Sequence, residues 1–111
     1  MLSREEIIPF ESFFISKKDY LNKVVVVTDY AEYTDFVQYP GNNKKTKVNK
    51  LVFLTEGGAT VTTTSSVIHK QFTEYLDECS DNELDAFPVR CMITEVEAKS
   101  GNKYMSAKFR K

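Results

Sequence analysis

The amino-acid sequence predicts an all-β domain with one helix, in the order β-β-β-α-β-β. Four consecutive valines at residues 24–27 indicate a strand, because β-branched side chains lose rotamer freedom in a helix. Turn sequences rich in glycine and asparagine then separate short segments typical of strands. Only residues 65–78 repeat their apolar side chains at the helical period.

The first strand is predicted over residues 22–33 and the second over residues 45–55. Between them, Tyr39-Pro40-Gly41-Asn42-Asn43 indicates a turn, since proline fixes one dihedral and glycine and asparagine tolerate positive φ. Alternation divides the second strand into two faces. One face holds Val48, Val52 and Leu54, and the other holds Lys47, Asn49, Leu51 and Phe53.

Glu56-Gly57-Gly58 predicts a tight hairpin into a third strand over residues 59–64. Ser65 or Ser66 can cap the helix, which ends near residue 78. An acidic loop at residues 80–85 precedes a fourth strand over residues 87–97, and the turn at residues 99–103 leads into a fifth over residues 104–110. This connectivity is that of a five-stranded OB-fold barrel, with the helix between the third and fourth strands.

Residues 1–20 are predicted to be an N-terminal extension, and residues 21–111 the OB-fold domain. Ser3 can cap a short helix that Pro9 would end or kink. Phe10, Phe13 and Phe14 need a surface to pack on. The sequence leaves open whether that surface is the barrel or a second copy, and therefore whether the protein forms a homodimer or a higher oligomer.

Charge is segregated along the chain, although the net charge is only -1. Residues 36–55 contain four lysines and no acid, and residues 98–111 contain five basic residues and no acid. Residues 74–97 contain eight carboxylates against one arginine. We therefore expect a basic face and an acidic face, so that local potential decides which partners are attracted.

Several classes of protein are disfavoured by the sequence. The valine run is too short to span a bilayer, and Arg4, Glu5 and Glu6 interrupt any secretory signal, so we expect a cytoplasmic protein without a membrane partner. Cys79 and Cys91 lie at apolar-patterned positions and are predicted to be two buried thiols.

Enzymatic activity, a metal site and a cofactor are not expected. His69 is the only histidine, which argues against a histidine-rich metal site or a catalytic triad. No phosphate-binding glycine loop occurs. The acidic residues 77–85 lack the order of an EF-hand, so a solvated acidic surface is the better interpretation.

Residues 21–110 resemble the small single-stranded DNA-binding proteins of bacteriophages and mobile elements. The resemblance rests on Lys50-Leu51-Val52-Phe53, on Val61-Thr62-Thr63-Thr64-Ser65, on the helix starting near Ser66, and on the last hairpin, from Pro88-Val89-Arg90 to Lys99-Ser100-Gly101-Asn102-Lys103-Tyr104. It implies an OB fold, binding of single strands with little sequence preference, and a role in DNA replication or recombination. It also implies a bacterial host cell and no cofactor.

Binding a single strand without reading its sequence requires cations for phosphates and aromatic faces for bases. In OB folds the face of strands two and three and the loops 1–2 and 4–5 supply them. Here both loops lie in the acid-free basic segments, so we expect them to converge on one groove. The candidate single-stranded-DNA-binding residues are Tyr39, Lys44, Lys45, Lys47, Lys50, Phe53, Lys99, Lys103, Tyr104 and Lys108.

Alternatives remain for individual residues and for the function. Phe53 is as consistent with the core as with a stacking platform. A protein-protein interaction module, for example an inhibitor or assembly factor, is the alternative function, because Phe10, Phe13 and Phe14 have no assigned packing surface and residues 74–85 form an acidic stretch. The sequence does not distinguish DNA from RNA as the ligand.

Overall fold

The computed structural model describes residues 1–111. Its strands are β1 (Val24–Val37), β2 (Thr46–Thr55), β3 (Thr60–Thr63), β4 (Val89–Glu97) and β5 (Lys103–Arg110), and its helices are α1 (Arg4–Glu11), α2 (Lys17–Tyr20) and α3 (Ser66–Asp81). The strands form one antiparallel sheet in the order β3-β2-β1-β4-β5. The predicted order of strands and main helix is confirmed. β3 and β5 are the edges and do not pair, so the sheet is not closed into a barrel.

β1 is shared by the two halves of the sheet. Its first residues, Val24 to Val27, pair with β4, and its remainder pairs with β2 after an irregularity between Val27 and Asp29. A bulge of this kind bends the strand. The molecule measures 47 × 39 × 26 Å along its principal axes.

The main core lies between the sheet and α3. Ser65 caps α3 by accepting a hydrogen bond from the Ile68 backbone N–H at 3.2 Å. Phe72, 0% exposed, packs edge-to-face on Phe53 with ring centroids 5.0 Å apart. Burial of these aromatic side chains supplies much of the hydrophobic stabilisation that holds α3 on the sheet.

Gln71 joins α3 to the free edge of β5. Its Oε1 accepts the backbone N–H of Ala107 at 2.8 Å, and its Nε2 donates to Ser106 Oγ at 2.9 Å. An edge strand presents unpaired backbone groups that can recruit another chain. The Gln71 side chain satisfies one of them, and the helix thereby covers this edge.

α1 packs on the opposite face of the sheet. Ser3 and Glu6 form a reciprocal capping box at its start, and the helix continues past Pro9 to Glu11. Of the two effects predicted for Pro9, the structure excludes that it ends the helix, which loses the one intrahelical hydrogen bond that a Pro9 N–H would have made. Ile7 forms a second, smaller core with Ala31 and Val52, all three 0% exposed.

Residues 13–22 connect the edge of β3 to β4. Ile15 N–H donates to Thr60 O at 2.8 Å, Thr60 N–H donates to Phe13 O at 2.7 Å, and Asn22 N–H donates to Ile93 O at 2.8 Å. Between these points the Tyr20 side chain enters the main core. The N-terminal extension therefore packs on its own sheet. The side chains of Phe13 and Phe14 do not pack on the sheet, since each is about 70% exposed to solvent.

Both cysteines are free and buried, as predicted. Burial raises the pKa of the Cys91 thiol to about 12. No helix combines the length and the apolar character needed to cross a membrane.

Candidate nucleic-acid interface

The hairpin formed by β1 and β2 extends past the rest of the sheet. β3 pairs only with Leu51 to Leu54, so the β2 residues before Lys50 have a strand neighbour on one side alone. At the turn, Gly41 adopts a φ of +81°, and Asn42 Oδ1 accepts the Lys44 backbone N–H at 3.0 Å. We call residues 36–47 the lysine hairpin.

The lysine hairpin carries exposed aromatic and cationic side chains together. Phe36 is 60% exposed and Tyr39 is 53% exposed. Lys44, Lys45 and Lys47 are exposed, and none of the six ion pairs of the molecule involves them. Phe36 and Lys47 are directly opposite each other in the β1–β2 register, so a ring and an ammonium share one face.

An open depression of about 570 Å³ separates the base of the lysine hairpin from the start of α3. Lys47, Asn49, His69 and Lys70 line it together with the Thr64-Ser65-Ser66 segment. His69 Nε2 lies 3.4 Å from a carboxylate oxygen of Glu32, which also belongs to this side of the sheet. The depression therefore offers lysines and hydroxyl groups, with one carboxylate at its margin.

Lys50 has a partner within the protein. Its Nζ donates to Asp35 Oδ2 at 3.1 Å, and this hydrogen bond is the main reason that the pKa of Asp35 is lowered. Arg4 approaches the other Asp35 oxygen at 3.8 Å and lies 4.9 Å from the centre of the Tyr33 ring. Lys50 thus belongs to a polar cluster that joins α1 to the sheet, and its ammonium group, unlike those of the lysine hairpin, has an ion-pair partner within the protein.

Phe53 is a core residue. It is 1% exposed and packs on both Phe72 and Phe109. A base cannot stack on a ring that is buried in the core, so the structure removes Phe53 from the binding candidates. β2 is buried on both faces at this level, since Leu51 and Phe53 face α3 while Val52 faces α1.

The second predicted turn carries weaker features. Gly101 adopts a φ of +87°, as its Gly-Asn sequence suggests. Lys99 is exposed, and Lys103 Nζ lies 3.8 Å from Glu95 while its side chain remains 65% exposed. Tyr104 is 41% exposed and pairs across the hairpin with Val96. This turn offers one free lysine and one accessible ring.

The two turns leave the sheet at opposite ends of β1. The lysine hairpin lies beyond the Val37–Thr46 pair, whereas β4 leaves β1 at the Val24–Met92 pair and continues away from it. No hydrogen bond or ion pair joins the two turns. α1 also occupies the face of β1 and β2 opposite α3. The register alone therefore gives no support to the shared groove that the sequence predicts.

Lys108 lies apart from both turns, on the solvent face of β4 and β5. It lines a depression there with Arg90 and Arg110, which the sequence reasoning did not select. Arg90 and Arg110 are 20 residues apart in the chain and become neighbours only through the pairing register of β4 and β5, which the sequence alone does not reveal. Phe36 is absent from the residues predicted from the sequence, since its exposure depends on how far β1 extends.

No group of three or more histidine, cysteine, aspartate or glutamate side chains is placed to hold a metal ion. Comparison with known proteins does not assign a family: no family model matches the chain, and no curated protein or solved structure matches it.

Proposed function

We propose that this protein binds single-stranded nucleic acid with little sequence preference, and that the lysine hairpin makes the principal contact. One observation carries the proposal: Phe36 and Tyr39 are exposed beside three lysines that have no partner in the molecule. Exposed rings can stack on any base, and unpaired ammonium groups attract phosphates, so the pair of features suits a ligand of any sequence.

The scaffold is proposed to be an open relative of the OB fold. The strand order β3-β2-β1-β4-β5 gives each strand the neighbours that it has in that fold, apart from the missing β3–β5 pair. α3 follows β3 and makes its main packing contacts with β5, so it lies near the two free edges. We further propose a role in replication or recombination of phage or mobile-element DNA, as the resemblance of residues 21–110 implies.

Fluorescence anisotropy with a labelled oligo-dT tests the proposal. We expect binding at about 50 mM salt that weakens steeply as salt rises, because bound phosphates release counterions. Folded protein that leaves the oligomer free at low salt would refute the proposal. Competition with the matched ribo-oligomer then decides between DNA and RNA.

The double variant K44Q/K45Q tests the cationic part of the contact. Each phosphate contact on a single strand contributes about 0.7 to the slope of log K against log salt, so losing two should reduce the slope by about 1.4. The matched control is K18Q/K23Q, which removes two exposed lysines that also lack ion-pair partners. An equal loss in both variants would show only a dependence on net charge.

The variant Phe36→Ala tests the stacking part. Loss of one stacked base costs about 1–3 kcal/mol, a roughly fivefold to hundredfold loss of affinity. Phe13→Ala is the control, because Phe13 is similarly exposed but lies on the N-terminal segment. If Phe36→Ala leaves both the affinity and the slope of log K against log salt unchanged, Phe36 does not contact the nucleic acid.

A protein-interaction module is the second candidate, and the exposed apolar side chains of the N-terminal segment favour it. Ile8, Phe10, Phe13 and Phe14 are between 39% and 70% exposed. With a second copy as the partner, light scattering should give a dimer mass that F13S/F14S reduces to that of a monomer. A wild-type monomer would argue against self-association through this patch.

A further inference from the structure

The solvent face of β4 and β5 is strongly basic. Residues 89, 91 and 93 of β4 point into the main core, so Arg90 and Met92 point to solvent. Across the strand pair, Arg110 is opposite Arg90 and Lys108 is opposite Met92. We call Arg90, Lys108 and Arg110 the basic face. They surround a depression of about 350 Å³ to which Val24 and Met92 contribute apolar surface.

The three cations of the basic face have no carboxylate side chain as a partner. None of them takes part in one of the six ion pairs, and the only hydrogen bond made by their charged groups is from Arg90 Nη2 to the main-chain oxygen of Lys111 at 3.1 Å, which leaves Lys108 and Arg110 unpaired. Arg90 and Arg110 are directly opposite, with Cβ atoms expected about 4.5–5.5 Å apart, and like charges in that relation are destabilising. An anion from outside the chain would remove this repulsion.

The chemistry of the basic face fits a phosphodiester chain. The guanidinium groups present paired N–H donors that match phosphate oxygens. Lys108 is two residues from Arg110 along β5, or about 7 Å, which lets successive phosphates meet successive cations. Val24, 61% exposed, adds apolar surface on which a sugar or base can lie.

We propose that the basic face binds the phosphate backbone of a single nucleic-acid strand, as a second contact separate from the lysine hairpin. The class of ligand rests on the proposed function, but the residues and their location do not. Along β1 the two surfaces are separated by ten residues, from Val27 to Val37, a path of at most about 33 Å, which the bend after Val27 shortens. Only a strand long enough to cover that distance can occupy both.

The acidic segment of a second copy fits this face less well. Lys111 Nζ donates to the backbone carbonyl of Asp85, so the acidic loop of the same chain borders the basic face. The acidic loop of a partner would meet that loop, and the two would repel.

Titrations with two oligo-dT lengths test the inference. One oligomer has about 6 nucleotides and the other about 40, below and above twice the roughly 4–16 nucleotides that one OB-type domain covers. For R90Q/R110Q we expect the affinity for the long oligomer to fall about tenfold at 0.1 M salt, with a slope smaller by about 1.4. Binding of the short oligomer should change by less than about twofold, since the lysine hairpin alone holds it.

Control variants separate the basic face from general effects. R90K/R110K keeps both charges and should retain most of the affinity for the long oligomer. Lys108→Gln should weaken the long oligomer more than Lys18→Gln, which removes an exposed lysine elsewhere on the chain. K44Q/K45Q should weaken both lengths. Far-UV circular dichroism establishes that each variant is folded.

The outcomes that overturn the inference are distinct. Folded R90Q/R110Q that binds the long oligomer as the wild type does would reject the basic face and leave the proposed function standing. Wild-type protein that binds neither oligomer would reject both. A wild-type dimer that R90Q/R110Q converts to a monomer, in the absence of oligomer, would assign the face to a second copy.

Discussion

Shortening Ile7 to alanine tests the packing of α1 on the sheet. Ile7 is 0% exposed and contacts Ala31 and Val52. The change removes three carbon atoms, which at about 0.8 kcal/mol per buried methylene amounts to about 2.4 kcal/mol. The cavity left behind raises the usual cost to about 2–5 kcal/mol. Because this core has only three buried residues and can partly collapse, we expect a loss of about 2–3 kcal/mol.

Ile8→Ala is the matched control, because Ile8 is the next residue of the same helix and is 46% exposed. Both substitutions change the helix propensity equally, so the difference between their effects on the free energy of unfolding reports the burial of Ile7. We expect Ile8→Ala to alter the free energy of unfolding by less than about 0.5 kcal/mol. Urea unfolding followed by circular dichroism measures both, with midpoints compared at constant slope. If Ile7→Ala and Ile8→Ala lower the free energy of unfolding by the same small amount, Ile7 is not buried between α1 and the sheet.

Three further predictions concern α3 and the core. Gln71→Ala leaves the Ala107 N–H without its acceptor and should cost about 1–3 kcal/mol, with faster hydrogen exchange at Ala107; unchanged exchange would contradict the edge contact. Ser65→Ala removes the α3 cap and should cost about 1 kcal/mol in urea unfolding, whereas Ser80→Ala in the last turn should cost less than about 0.5. Because burial raises the pKa of Cys91 from 9.0 to about 12, the unfolded thiol ionises first. The stability that Cys91 contributes is therefore present below pH 9 and falls as pH rises from 9 to about 12, measured by urea unfolding at pH 8 and pH 10. At pH 8 its thiol should resist disulfide reagents, and labelling as fast as in urea would contradict its burial.

Local signals predicted the order of the elements. The valine run, the Pro-Gly-Asn turn and the helical spacing around Phe72 each act within a few residues, so the chain alone determines them. The end of β1 was placed too early, at residue 33 instead of Val37. The four additional residues are held by pairing with β2, which is a contact that local patterns do not report.

The candidate site was predicted less well than the fold. The exposed lysines of the first turn were found because charge patterning is visible in the sequence. The alternation of side chains along β2 could not decide whether Phe53 is exposed for base stacking or buried in the core. Both faces of β2 are covered by elements distant in the chain, so alternation does not separate a buried face from an exposed one. The pairing of Arg90 with Arg110 required the β4–β5 register.

The attachment of residues 13–22 has a consequence for synthesis of the chain. Phe13 and Ile15 leave the ribosome well before Thr60, and Leu21 precedes its bridging partner Ile93 by 72 residues. At about 5–20 residues per second, the second interval lasts about 4–14 s. During that time Tyr20, which the folded protein buries in its main core, stays exposed, and a chaperone that recognises exposed aromatic side chains can bind the segment.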